Sequence, residues 1–99
     1  MAQKLIPKEI LDTLPPLYAT EKMSNPIVHV KLFTPDSNWS WFIMEYSPQE
    51  KLCFGLVQGQ EEELGYFTLK ELEEVRGVMG LPVERDLYFK PVKLSEIKK

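Results

Sequence analysis

Residues 26–46 read Pro26-Ile-Val-His-Val-Lys-Leu-Phe-Thr-Pro-Asp-Ser-Asn-Trp-Ser-Trp-Phe-Ile-Met-Glu-Tyr46. Val28, Val30 and Leu32 alternate with His29, Lys31 and Phe33, the period of two expected of a strand with one face in a core. Thr34-Pro35-Asp36-Ser37-Asn38 is a turn by composition: Pro presets φ, and the Asp, Ser and Asn side chains bond nearby backbone amides. A second strand follows. Its simple alternation puts Trp39, Trp41, Ile43 and Glu45 on one face and Ser40, Phe42, Met44 and Tyr46 on the other. Both faces are bulky and apolar, so this strand is expected inside the sheet rather than at its edge.

Working outward, Ser47-Pro48-Gln49-Glu50 is the next turn, and residues 51–58 form a third strand whose Leu-Cys-Phe-Gly-Leu-Val run again expects burial on both faces. Gly55 within it points to a bulge or to a close approach by something bulky. Residues 59–63 are a polar hairpin loop and residues 64–67 the returning strand. Thr68 followed by Glu71 makes a capping box, with Phe67 and Leu72 placed as its hydrophobic staple. A helix is therefore expected over residues 69–76, burying Leu69, Leu72 and Val75 and stopping at Gly77 in a positive-φ position. Upstream, Ile10, Leu11 and Leu14 share one face of a helix over residues 7–14, halted by Pro15 and Pro16. The tail holds an extended piece at residues 85–89 and a last turn at 95–98. The expected class is α+β: an antiparallel meander of three to five strands with one or two helices packed on it, forming a single domain over residues 1–99 with one core.

Composition excludes several chemistries. The chain has 99 residues, formal net charge −3, one cysteine and one histidine. Cys53 has no partner for an internal disulfide, and Cys53 with His29 is too small a set for structural zinc. No metal or cofactor is expected. The acidity and the lack of a basic cluster beyond Lys98 and Lys99 argue against direct nucleic-acid binding. No apolar run approaches the ~20 residues of a membrane span, and none follows Met1-Ala2-Gln3-Lys4, so a cytoplasmic location is expected.

Catalytic patterns are missing from the sequence. Ser37, Ser40, Ser47 and Ser95 lie in no nucleophile elbow, no glycine-rich phosphate loop opens a helix, and His29 and Cys53 are read as packing residues. Three polar constellations remain. Glu84-Arg85-Asp86 alternates charge, as a buried latch or, more often, a solvated edge. Glu61, Glu62, Glu63, Glu71, Glu73 and Glu74 are opposed only by Lys70; such a strip can imitate nucleic-acid phosphates but is more often a solvated face. The third is aromatic and polar: Tyr18, Asp36, Asn38, Trp39, Tyr66 and Arg85. Tyr and Trp give large contact area at low entropic cost, whereas glutamates are depleted at interface centres, so these six are the expected binding residues. A protein partner is expected; the alternative is a small hydrolase-like enzyme with a cleft gathering Asp36, Glu45, Glu63, Arg76, Glu84, Arg85 or Asp86.

Several ordered blocks give the whole chain a family likeness: Leu14-Pro-Pro-Leu-Tyr18, Lys31-Leu-Phe-Thr-Pro-Asp-Ser-Asn-Trp39, Phe54-Gly-Leu-Val57, Glu63-Leu-Gly-Tyr-Phe67, Leu72-Glu-Glu-Val-Arg-Gly77 and Gly80-Leu-Pro-Val-Glu-Arg-Asp-Leu-Tyr-Phe89. Over residues 5–97 the chain resembles the bacterial family catalogued as domain of unknown function 2958. The resemblance brings no catalytic residue. Because such proteins occur in bacteria, plasmids, phages and integrative elements, it implies an accessory protein of mobile DNA, for example one that blunts a host defence.

Overall fold

The computed structural model describes residues 5–98; Met1-Ala2-Gln3-Lys4 and Lys99 lie outside them. In chain order the elements are α1 (Lys8–Leu11), β1 (Ile27–Val28), β2 (Val30–Phe33), β3 (Ser40–Ser47), β4 (Leu52–Gln58), β5 (Glu62–Thr68), α2 (Leu69–Glu74), β6 (Glu84–Arg85), β7 (Val92–Lys93) and α3 (Leu94–Ile97). Five strands form an antiparallel sheet in the order β5-β4-β3-β2-β6, while β1 and β7 pair separately. The α+β meander expected from the alternation is what the chain builds, and β3 lies at its centre. β6 returns across the fold to close the far edge on β2, pairing Leu32 with Arg85.

Both sheet faces are covered. One carries Val30, Leu32, Trp41, Ile43, Tyr46, Cys53 and Phe67, capped by Ile6, Leu14, Leu72 and Val83. The other carries Phe42, Met44 and Leu56 under Val28 and Leu94. The expected single core is thus two, because the alternating large residues of β3 supply a hydrophobic floor on each side.

A bulge in β3 changes which residue faces which core. Ile43 pairs with Gly55 but Glu45 pairs with Phe54, leaving Met44 unopposed. The extra residue reverses the alternation beyond it. Tyr46 therefore joins Trp41 and Ile43, and Glu45 crosses to the face of Phe42 and Phe54. Simple alternation had assigned both residues to the opposite faces. Gly55, opposite Ile43, is required by close approach: a Cβ there would stand 1.9 Å from the Phe42 carbonyl oxygen.

The helices are shorter than their sequence patterns. α1 stops at Leu11, and Thr13 and Leu14 tighten onto Ile10 and Leu11 by i→i+3 bonds. Pro15 disfavours helical backbone at Leu14, which turns into the core instead. The Thr68–Glu71 capping box forms in full, and Leu72 is buried with Leu69 and Val75 beside it. α2 nevertheless ends at Glu74, where Arg76 Nη1 donates to the Glu73 and Val75 carbonyls and Arg76 pairs with Pro82. Gly77 does not adopt positive φ; Gly80 does, at 82°. Gly77 is needed because the Asp36 carboxylate occupies the space of a Cβ, its Oδ1 standing 1.5 Å from that position. The extended piece at 85–89 shrinks to Glu84–Arg85, since the Asp86 side chain accepts from the Tyr88 N–H and turns the chain. No helix among the described residues is long and apolar enough to cross a membrane.

Candidate functional site

The bulge lays a row across three strands: Glu45 on β3 opposite Phe54 on β4, opposite Tyr66 on β5. Where β2 has diverged from β3, residues 15–20 take its place, with the Tyr46 N–H donating to the Pro15 carbonyl at 2.9 Å. Tyr18 then turns back over the sheet with φ 72°, a left-handed conformation that costs a non-glycine residue about 1–2 kcal/mol. Glu45, only 2% exposed, holds that turn. Its Oε1 accepts from the Tyr18 N–H at 2.7 Å, and its Oε2 accepts from the Thr20 N–H at 2.8 Å and from the Thr20 hydroxyl.

Turn and sheet enclose a cavity of about 220 Å³, walled by Tyr18, Met23, Phe54, Leu64 and Tyr66, with Glu21 and Glu45 among its lining. Among the described residues no Lys, Arg or His lines it. Phe54 and Tyr66 meet in a tilted contact with ring centroids 4.9 Å apart. Tyr18 is 62% and Tyr66 52% exposed, large for aromatics without a function in packing. Partial desolvation, then Tyr18, Glu45 and Glu21 nearby, hold the Tyr66 phenol above its ordinary pKa.

The six residues expected to bind together are divided. Tyr18 and Tyr66 share this cavity. Asp36, Asn38 and Trp39 line an open cleft of about 550 Å³ with Gly59, Gln60 and Val78, and share no lining residue with the first. There Asp36 is a structural clamp, its Oδ2 accepting from the Met79 N–H at 2.7 Å and the Leu81 N–H at 3.3 Å. Trp39 stacks on Trp41 at 6.0 Å and lies over Gly59. Arg85 sits at the far edge, its Nε donating to the Leu5 carbonyl at 3.3 Å, so it tethers the start of the described chain and forms no ion pair among the described residues. Strand alternation places Glu45, like Tyr46, on the wrong face; the sequence offers it only as one charged group of the enzymatic alternative, and as a carboxylate among apolar neighbours it must find donors.

The acidic residues also separate. Glu62 bonds Gln58 Nε2 and lies 3.9 Å from Lys98 Nζ, Glu71 is spent in the capping box, and Glu61, Glu63, Glu73 and Glu74 are exposed. Cys53 is fully buried opposite Tyr46 and Phe67. Burial pushes its thiol up to about 12 and also lowers the His29 imidazole from its ordinary value. Iodoacetamide at neutral pH should therefore leave folded Cys53 unmodified and label it only in urea. The ordinary thiol value is 9.0, so between there and about 12 the unfolded chain ionises first. Stability relative to Cys53→Ala should then fall with rising pH, by about 1.4 kcal/mol per pH unit at most.

Sheet, helices and cavity together define a small α+β domain whose distinctive surface is an aromatic–acidic pocket beside a sheet edge. The family model described as protein of unknown function (DUF2958) matches residues 5–97, and the chain belongs to that family. No curated protein and no solved structure matches it.

Proposed function

We propose that the protein is a cytoplasmic binding module whose Tyr18–Tyr66 cavity receives a cationic side chain, Arg or Lys, of a protein partner. The observation that carries this is the cavity lining: aromatic rings and carboxylates, with no cation among the described residues there. Ring faces attract a cation, and Arg stacks on them better than Lys does. Glu21 supplies a solvent-facing carboxylate, and Glu45 fixes the Tyr18 turn. A catalytic reading has less support, since the Glu45 oxygens are held by three donors and Asp36 Oδ2 by two amides. The resemblance to proteins of mobile DNA supports an accessory role there. Proteins that handle nucleic acid expose Lys and Arg, the groups this cavity would take.

The test is titration with arginine methyl ester, followed by NMR shifts of the Tyr18 and Tyr66 rings. Tyr66→Ala should weaken binding about tenfold, the equivalent of a cation–π contact of about 1–2 kcal/mol. Trp39→Ala and Arg85→Ala, whose side chains lie outside the cavity, should bind as the parent does. Shifts centred on Trp39 would move the site to the other cleft and end this reading.

A further inference from the structure

The strand that forms one wall of the cavity is also the free edge of the sheet. Among the described residues β5 pairs with β4 alone, over seven residues from Glu62 to Thr68. The ladder shows which of its backbone groups are unpaired. His29 N–H donates to the Ile43 carbonyl, so Ile43 turns its backbone groups toward β2. Gly55, opposite Ile43, must then turn its own toward β5 and bond with Gly65. Alternate residues point the other way, so Glu62, Leu64 and Tyr66 direct N–H and C=O outward. Among the described residues no backbone group bonds to them from that side.

We infer that β5 is a docking strand to which an extended, basic segment of a partner protein adds as a sixth strand of the sheet. Exposed edges of this length are aggregation templates unless guarded, and the guarding glutamates stand at one end only. Glu61, Glu62 and Glu63 lie there, whereas Leu64 and Tyr66 are exposed and apolar. Gly65 between them has neither positive φ nor any atom within 4 Å of a built Cβ, so the fold itself requires no glycine at that position. A bare strand centre admits a second chain closely.

Charge selects the occupant. A segment with Lys or Arg meets Glu61–Glu63, while a second copy of this chain, net charge −3, brings the same carboxylates. Leu64 and Tyr66, whose backbone is free, also line the cavity. A strand added beside them carries alternate side chains to the cavity mouth, joining backbone pairing to side-chain capture. The placing of a Lys or Arg in the cavity rests on the cation-capturing reading; the strand pairing and the pull of Glu61–Glu63 on a basic segment do not.

A random peptide library displayed against the full chain tests this. Enriched peptides should carry Lys or Arg among β-branched residues, and a bound peptide should slow hydrogen exchange at the Leu64 and Tyr66 amides. Leu64→Pro deletes an outward N–H without removing a ladder bond, so it should weaken the peptide at least tenfold more than Leu64→Ala does. N-methylating alternate peptide residues should abolish binding. Equal binding by Leu64→Pro and Leu64→Ala, or no protection in β5, overturns strand addition even if arginine ester still binds. Protected β5 amides with arginine ester failing to bind would instead retire the cavity reading alone. Acidic enriched peptides, no enrichment, or β5 protection through self-association in sedimentation would each overturn the proposal.

Discussion

Gly55→Ala should unfold or nearly unfold the protein, whereas Gly65→Ala, its partner across the ladder, should leave stability within about 0.5 kcal/mol of the parent. An added Cβ at Gly55 stands 1.9 Å from the Phe42 carbonyl oxygen and 3.1 Å from the Ile43 Cα. Both obstacles are backbone of the central strand, held on each side by its neighbours, so neither can yield without opening the ladder. A cost of about 3 kcal/mol or more follows, at the upper end for overpacking. For a domain of this size that lowers the melting temperature by roughly 12–24 °C. Thermal denaturation of the pair, followed by near-ultraviolet circular dichroism at the tryptophans, provides the comparison. Equal melting temperatures would mean that β3 and β4 are not locked at the bulge.

The second large effect belongs to Glu45. Glu45→Ala strands the Thr20 hydroxyl and the Tyr18 and Thr20 amides under the cavity floor. Each buried donor left unpaired costs about 1–3 kcal/mol, so a loss of about 3–5 kcal/mol in urea unfolding is expected. Glu45→Gln retains one acceptor and should lose roughly half as much, since its amide group meets donors where an acceptor is needed. In both variants the Tyr18 and Thr20 amides should lose hydrogen-exchange protection. Arginine ester binding should fall with them, because the carboxylate anchors the Tyr18 N–H and its loss leaves only the Ala19–Pro16 and Glu21–Tyr18 backbone bonds around that turn. Unchanged stability in Glu45→Ala would show that the 18–20 turn is held by something other than this carboxylate.

The strands, turns and capping box were legible because each depends on short-range physics. Alternation of Val28, Val30 and Leu32 marks a strand wherever it finally pairs, although a break at His29 divides it into β1, paired with β7, and β2 within the larger sheet. Thr68 and Glu71 satisfy each other within one helical turn. Even Gly55 was marked, as a bulge or a close approach, and it is the close approach that faces a bulge. Of the six expected binding residues, the two tyrosines share one cavity. Grouping them with Asp36, Trp39 and Arg85 failed as geometry, because residue types that suit an interface say nothing about which end of a sheet they occupy.

Local sequence therefore determined the class of fold, the order of its strands along the meander and the start of its second helix. Tertiary structure decided the rest through contacts between distant residues. Glu45 reaches Thr20 and Tyr18, Asp36 reaches Met79 and Leu81, and Arg85 reaches Leu5. The bulge at Met44 arises where β3 must face two cores and the 15–20 turn at once. A one-residue shift leaves the composition untouched and exchanges the faces of every side chain beyond it. That is why the face and the partners of the carboxylate beneath the cavity could be found only after the strands had paired.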